Sequence, residues 1–285
     1  MKRIYVLCLS VALIAWAQMG CGEKKAAPTE PVADSTSVDS TVVGNDTLVV
    51  KRYVAERKDT TGEYAVKIAW PVDDERCAAL TNAIREWENE MLGGTFKGDA
   101  KKPQAMADHY LKSIVKRNHE DYQMAEYPAG SDMSYFESYT IFKDYEAAKF
   151  VTFSFMGEMY SGGAHGGVAA FSQTFRKSDG RRIGWDVFNE GEELQKLMRK
   201  GLIDYFSDGT GRRITEEELA DELQGEATQY HIPMPQCPPI FQKDGVCFLY
   251  NQYEIAAYAA GMPQFVIPYK KLKPLMKTTA QQLIE

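Results

Sequence analysis

Two stretches of this 285-residue chain carry side chains that could do chemistry. The first runs Tyr160-Ser161-Gly162-Gly163-Ala164-His165-Gly166-Gly167. Glycine pairs on both sides of a histidine ask for backbone freedom or close approach. His165 is therefore a candidate general base or hydrogen-bonding ligand group, since imidazole changes charge near neutral pH. It is equally suited to satisfying backbone groups at a tight turn. The glycines do not lead into Lys-Ser/Thr and a helix, which argues against a phosphate-binding loop. The second stretch runs from Tyr250 to Gly261. Its tyrosines are amphipathic, apolar in body and polar at the tip, and could build a sugar- or peptide-binding face. They could equally pack a sheet. Glu254 could serve as an acid, but the sequence places no second carboxylate beside it. The candidate binding residues are thus Tyr160, His165, Tyr253, Glu254 and Tyr258. No catalytic residue, metal site or cofactor is assigned, because no CxxC or Cys/His cluster is present.

The remaining chemistry sits on cysteine. Gly20-Cys21 follows a leader with Lys2 and Arg3, then an apolar run from Ile4 to Ala17 broken only by Ser10. That run is short for a bilayer span, which takes about 20 residues, and suits a signal peptide. A small residue before cysteine fits lipoprotein processing, with Cys21 as the acylated residue; Gln18 departs from the usual aliphatic at its position. Two or more acyl chains would hold the protein to a membrane. Cys237 and Cys247 flank the turn-like Lys243-Asp244-Gly245 and are candidates for a disulfide in an oxidising envelope. Cys77 falls on the apolar face of an expected helix and reads as a buried thiol.

Charge narrows the partners. The chain has 33 basic and 40 acidic residues, and loss of Lys2 and Arg3 with the leader takes the net charge from −7 to −9. That balance argues against nucleic acid, whose binding rewards Lys/Arg clusters.

The elements that must position these residues follow from pattern. Residues 1–20 read as signal peptide, and 21–46 as lipidated cysteine plus a flexible tether rich in Pro, Ser, Thr and Asp. Four Asp-Ser/Thr triplets, beginning at Asp34, Asp39, Asp46 and Asp59, resemble O-glycosylation acceptors of Bacteroidetes. Strands are expected over Leu48–Val54, Tyr64–Val72, Ser134–Lys143, Lys149–Met159, Val168–Arg176, Val246–Tyr250 and Phe265–Pro268. Helical spacing links Cys77, Leu80, Ile84, Trp87 and Met91 behind an Asp73 cap, and further helices cover Gln104–Arg117 and Glu192–Phe206. Thr215 and Glu218 form a capping box, and a short helix lies near Lys271–Met276. Strands and helices mix without regular βαβ alternation, so the class is α+β: two small domains, antiparallel sheets packed with helices.

The two stretches, in this order, resemble an extracytoplasmic domain pair found in the lysozyme-sensing anti-sigma factor RsiV and beside the catalytic domain of the peptidoglycan deacetylase PdaC. The first domain of that pair ends near Tyr-x-Gly-Gly-Ala-His, matched at Tyr160–His165. The second opens with a strand, an Asp/Gly turn and Asp-x-Phe, similar to Phe175–Gly180 with Asp186 and Phe188. It closes with Tyr-Glu-Ile-Ala-x-Tyr-Ala-x-Gly and Ile-Pro-Tyr, matched at Tyr253–Gly261 and Ile267–Tyr269. Ala257 stands where proline is common. The resemblance covers nearly all of 47–276, and implies a PdaC-like domain over 47–165 and an RsiV-like domain over 166–285. It implies a recognition module of a periplasmic, outer-membrane or cell-surface lipoprotein. The expected partners are peptidoglycan or a lysozyme-like protein. The membrane span of the anti-sigma factor and the metal-dependent domain of the deacetylase have no counterpart in these motifs. A hydrolase or deacetylase-like enzyme using His165, and a structural lipoprotein with protein partners only, remain the alternatives.

Overall fold

The computed structural model describes residues 47–99, 101–125, 127 and 133–285. Cys21, the leader and the tether lie outside the described residues.

Alternating apolar residues build a six-stranded sheet in sequence order: β1 (Val50–Lys58), β2 (Gly62–Pro71), β3 (Tyr135–Glu146), β4 (Phe150–Tyr160), β5 (Gly167–Arg176) and β6 (Arg182–Ile183). All neighbours are antiparallel except β2 and β3, which run parallel. A parallel pair needs a long crossover, and two helices supply it. These are α1 (Ala78–Met91) and α2 (Pro103–Met124). Leu80, Ile84 and Trp87 recur at helical spacing, so α1 buries one stripe. Met106, Tyr110 and Ile114 do the same for α2. Both stripes pack on Val66, Ile68, Val151, Phe153 and Phe175 of the sheet. Full burial of each such side chain contributes about 1.5–3 kcal/mol.

Three expectations are corrected here. The cap is Asp74, whose carboxylate accepts the Arg76 N–H before a short 3-10 turn; Asp73 instead pairs with Arg85 at 2.7 Å. Cys77 ends that turn, half-buried, rather than lying on the buried stripe. Helix α2 runs on to Met124, past the expected end at Arg117, and beyond that point it makes tertiary contacts that spacing alone does not reveal, such as Asn118 donating to Glu137 of β3 at 2.6 Å.

The remaining chain forms α3 (Glu192–Thr210), α4 (Glu216–Glu222), and a three-stranded sheet of β7 (Ile240–Phe241), β8 (Gly245–Leu249) and β9 (Gln264–Pro268). It ends in α5 (Tyr269–Leu272) and α6 (Thr278–Gln281). The Thr215/Glu218 capping box is present. Leu194, Met198 and Leu202 of α3 pack with Phe248 and Ile267, making a second core. Architecture is α+β, with mainly antiparallel sheets packed against helices.

Position 165/166 falls in the β4–β5 turn, and β5 and β6 hydrogen-bond into the first sheet. The two parts are fastened along the free edge of β5. There, Gln252 Oε1 accepts the Val168 N–H at 3.0 Å. Asn251 accepts from the Ala170 N–H at 2.7 Å and donates to the Ala170 carbonyl at 3.0 Å. Cys237 Sγ accepts the Ser172 N–H at 3.2 Å. Side chains thus take the place of a seventh strand and blunt an edge that would otherwise pair with another chain.

Candidate functional site

The strand pattern sets the site's place. Tyr160 ends β4 and Gly167 begins β5, so the glycine-rich turn projects from one end of the six-stranded sheet. Gly163 has φ +91°, a conformation L side chains rarely adopt. Gly166 is needed for another reason: a Cβ there would sit 2.6 Å from the Met159 carbonyl oxygen. The Tyr160 hydroxyl donates to the Gly163 carbonyl at 3.1 Å and braces the turn.

His165 leaves this turn into solvent. Its ring stacks on Tyr258 with centroids 3.7 Å apart and 20° between the planes. Two donors meet on one acceptor, the Gly166 carbonyl: His165 Nδ1 at 3.0 Å and the Tyr258 hydroxyl at 3.0 Å. A carbonyl only accepts, so the proton is on Nδ1 in the neutral ring and Nε2 is left as an acceptor. Among the described residues nothing bonds to Nε2. Tyr253 extends the surface, its ring 5.7 Å from that of Tyr258. It is 61% exposed and has φ +64°, alone among described non-glycine residues in being positive. Such backbone costs about 1–3 kcal/mol and persists where its surroundings impose it.

Glu254 is the support for that conformation. One carboxylate oxygen accepts the Gln236 N–H at 2.7 Å and the other accepts the Asn251 N–H at 2.8 Å. Both oxygens serve backbone, and no contact joins Glu254 to His165. The structure therefore brings His165, Tyr258 and Tyr253 together, engages Tyr160 in bracing the turn, and uses Glu254 as a brace for backbone.

Cys237 and Cys247 are both buried thiols, not joined in a disulfide. The Cys237 sulfur is instead committed to the β5 edge. No group of three His, Cys, Asp or Glu side chains is arranged to hold a metal ion among the described residues. No described helix is long and apolar enough to cross a membrane.

Sequence reasoning missed a second polar group at the same end of the sheet. His119 Nε2 lies 3.0 Å from Asp59 Oδ2, and Asp59 also accepts from the Thr61 N–H and hydroxyl. Burial pushes the Asp59 carboxyl up, but the hydrogen bonds from Thr61, Arg57 and His119 outweigh it and hold it well below the usual range. Beside it the buried Glu137 carboxylate takes donors from Arg117, Asn118 and Tyr139. Desolvation, then the hydrogen bond to Glu137, push the Tyr139 phenol up to about 12. Tyr127 and Tyr135 share a 3.0 Å hydroxyl contact, and Tyr127 donates to the Ser161 carbonyl at 3.3 Å. In sequence, Asp59-Thr60-Thr61 only resembles an O-glycosylation acceptor, and nothing in that triplet points to His119, sixty residues away.

The second stretch also carries the family likeness. Residues 239–270 match DUF3298, a family described as a protein of unknown function. That span holds β7 to β9 and the turn with Asn251, Tyr253, Glu254 and Tyr258. Two solved structures have a similar fold. One is a member of the DUF3298 family from Bacteroides fragilis, with 18% identity, a TM-score of 0.58, and coverage of 82% of this chain and 96% of that one. The other is a DUF3298 family protein from Pseudomonas aeruginosa, with 15% identity, a TM-score of 0.52 and the same coverage of both chains. At these identities the likeness is one of fold. No curated protein matches the chain.

Proposed function

We propose that this chain is a non-catalytic cell-envelope lipoprotein, acylated at Cys21, which binds cell-wall glycan on the surface formed by His165, Tyr258 and Tyr253. The observation that carries the reading is Tyr253, held 61% exposed in a left-handed backbone beside a stacked pair. Exposed aromatic faces suit the C–H faces of sugar rings, and Nε2 of His165 is an acceptor for a sugar hydroxyl. An enzyme built on His165 would need an acid at its side, and Glu254 has both oxygens engaged.

Co-sedimentation with purified sacculi and titration with soluble muropeptides test the reading. Binding is expected in the mature chain and lost in Tyr253→Ala and Tyr258→Ala at unchanged fold. A lysozyme-type hydrolase serves as the second ligand, because a protein partner could use the same face. Failure to bind either ligand rules out this class. For the anchor, Cys21→Ala should abolish labelled palmitate incorporation and release the protein from membranes.

A further inference from the structure

A cavity of about 700 Å³ opens at the other end of the six-stranded sheet, where β1 begins and β5 ends. Its volume is within the range of small-molecule sites. Apolar wall comes from Leu48 and Val49 before β1, Leu80 of α1, and Leu283 beyond α6. Val49 is 54% exposed, so this apolar surface reaches the mouth. The polar wall carries four cations, Arg76, Lys149, Arg176 and Lys177, against the two carboxylates Asp73 and Asp74. Three cations have carboxylate partners. Arg76 pairs with Asp74, Arg176 with Asp179, and Lys177 with Glu146. Glu146 is already shared with Lys143, so one carboxylate serves two ammonium groups. Asp73 is spent on Arg85.

Lys149 differs from the other three. Its ammonium donates to the Gln282 carbonyl at 2.8 Å and has no carboxylate within ion-pair distance among the described residues. The hydroxyls of Ser178 and Thr279 line the same wall and make no hydrogen bond among the described residues. A chain of net charge −7 thus gathers four cations and two hydroxyls around an apolar recess, and the carboxylate whose charge acts on Lys149, that of Glu285, is already paired with Lys273. We propose that this cavity binds a small organic anion, a phosphate or carboxylate carried on a short apolar body. The anion meets Lys149 and the two hydroxyls, and the body lies on Leu48, Leu80 and Leu283. This site is separate from the aromatic end and stands without the glycan reading.

Cys77 also lines the cavity and reports its occupancy. The purified chain is alkylated with and without octyl phosphate below its micelle concentration, and modification is read peptide by peptide. Octyl phosphate should slow Cys77 alkylation. Octyl glucoside, with the same tail and no charge, should not. Lys149→Glu should weaken octyl phosphate binding by about tenfold or more, the effect of one charge-assisted contact reversed. Lys149 is exposed in the β3–β4 turn, so this variant should fold, and an unchanged melting curve checks that. Vesicles containing phosphatidylglycerol separate the two sources of such an anion: protection by vesicles alone assigns a lipid headgroup, and protection by octyl phosphate alone a soluble ligand. Equal protection by octyl glucoside, no protection by either phosphate source, or indifference to Lys149→Glu overturns the proposal.

Discussion

Asn251 pairs with Ala170 as a strand residue would, accepting its N–H at 2.7 Å and donating to its carbonyl at 3.0 Å. One side chain therefore closes the edge of β5 and fixes the turn that carries Tyr253 and Tyr258. Asn251→Leu should leave both Ala170 groups without their protein partner and destabilise the fold by about 1–3 kcal/mol. Urea denaturation measures this. Wild-type stability in the variant would mean that the clip contributes nothing.

Tyr253 should show opposite signs for stability and binding. Its left-handed backbone is costly for a tyrosine and free of steric cost for glycine. Tyr253→Gly gains by relief of that strain and loses some by chain entropy, so stability should hold or rise by about 1 kcal/mol. Binding to sacculi should fall, because the exposed ring is gone. Equilibrium unfolding and co-sedimentation on the same preparation test both signs. A large loss of stability would show that the ring packs rather than waits for a ligand.

Glu88 predicts a pH dependence. It is fully buried in α1, and neither carboxylate oxygen has a hydrogen-bond partner. Desolvation raises its pKa well above the ordinary value, only partly offset by the charge of Arg85. The folded protein therefore keeps the Glu88 proton after the unfolded chain has lost it. Above the unfolded pKa, the folded state binds more protons and stability falls as pH rises, until the folded pKa is passed. Glu88→Gln cannot ionise and should escape this loss. Its stability should match wild type below about pH 4, near the unfolded glutamate pKa. Its advantage should then grow through neutral pH. Urea midpoints at several pH values would refute this if the two curves stayed parallel.

Local pattern made the strands, the apolar stripes of α1 and α3, and the Thr215/Glu218 box legible, because each depends on residues within one or two turns. The aromatic surface was half legible. Tyr253, Tyr258 and His165 were visible as types, but their meeting depends on Gly166 accepting from two residues 93 positions apart in one place. Glu254 looked like an acid because its sequence neighbours cannot reveal that Gln236 and Asn251 donate to it. The Asp59–His119 pair and the basic cavity were not legible for the same reason. Each is assembled from segments whose separation in sequence carries no periodic signal.

The cysteines give a prediction that also tests the edge of β5. Burial, above all, pushes the Cys237 thiol up to about 12, against a lowering contribution from the Ser172 N–H it accepts. Since the thiolate is the nucleophile, Cys237 should resist alkylation at pH 8 until the protein unfolds. Cys77 is only half-buried and should react first, slowly, because burial raises its thiol as well. Cys237→Ala should remove the Ser172 acceptor and cost about 1–3 kcal/mol, since a buried N–H is left without its partner. Cys237→Ser keeps an acceptor and should recover part of that loss. A non-reducing peptide map of protein exported to an oxidising compartment decides between this arrangement and its rival. Separate Cys237 and Cys247 peptides fit a sulfur held by Ser172, whereas a linked pair would show that the edge of β5 gives up this acceptor on oxidation.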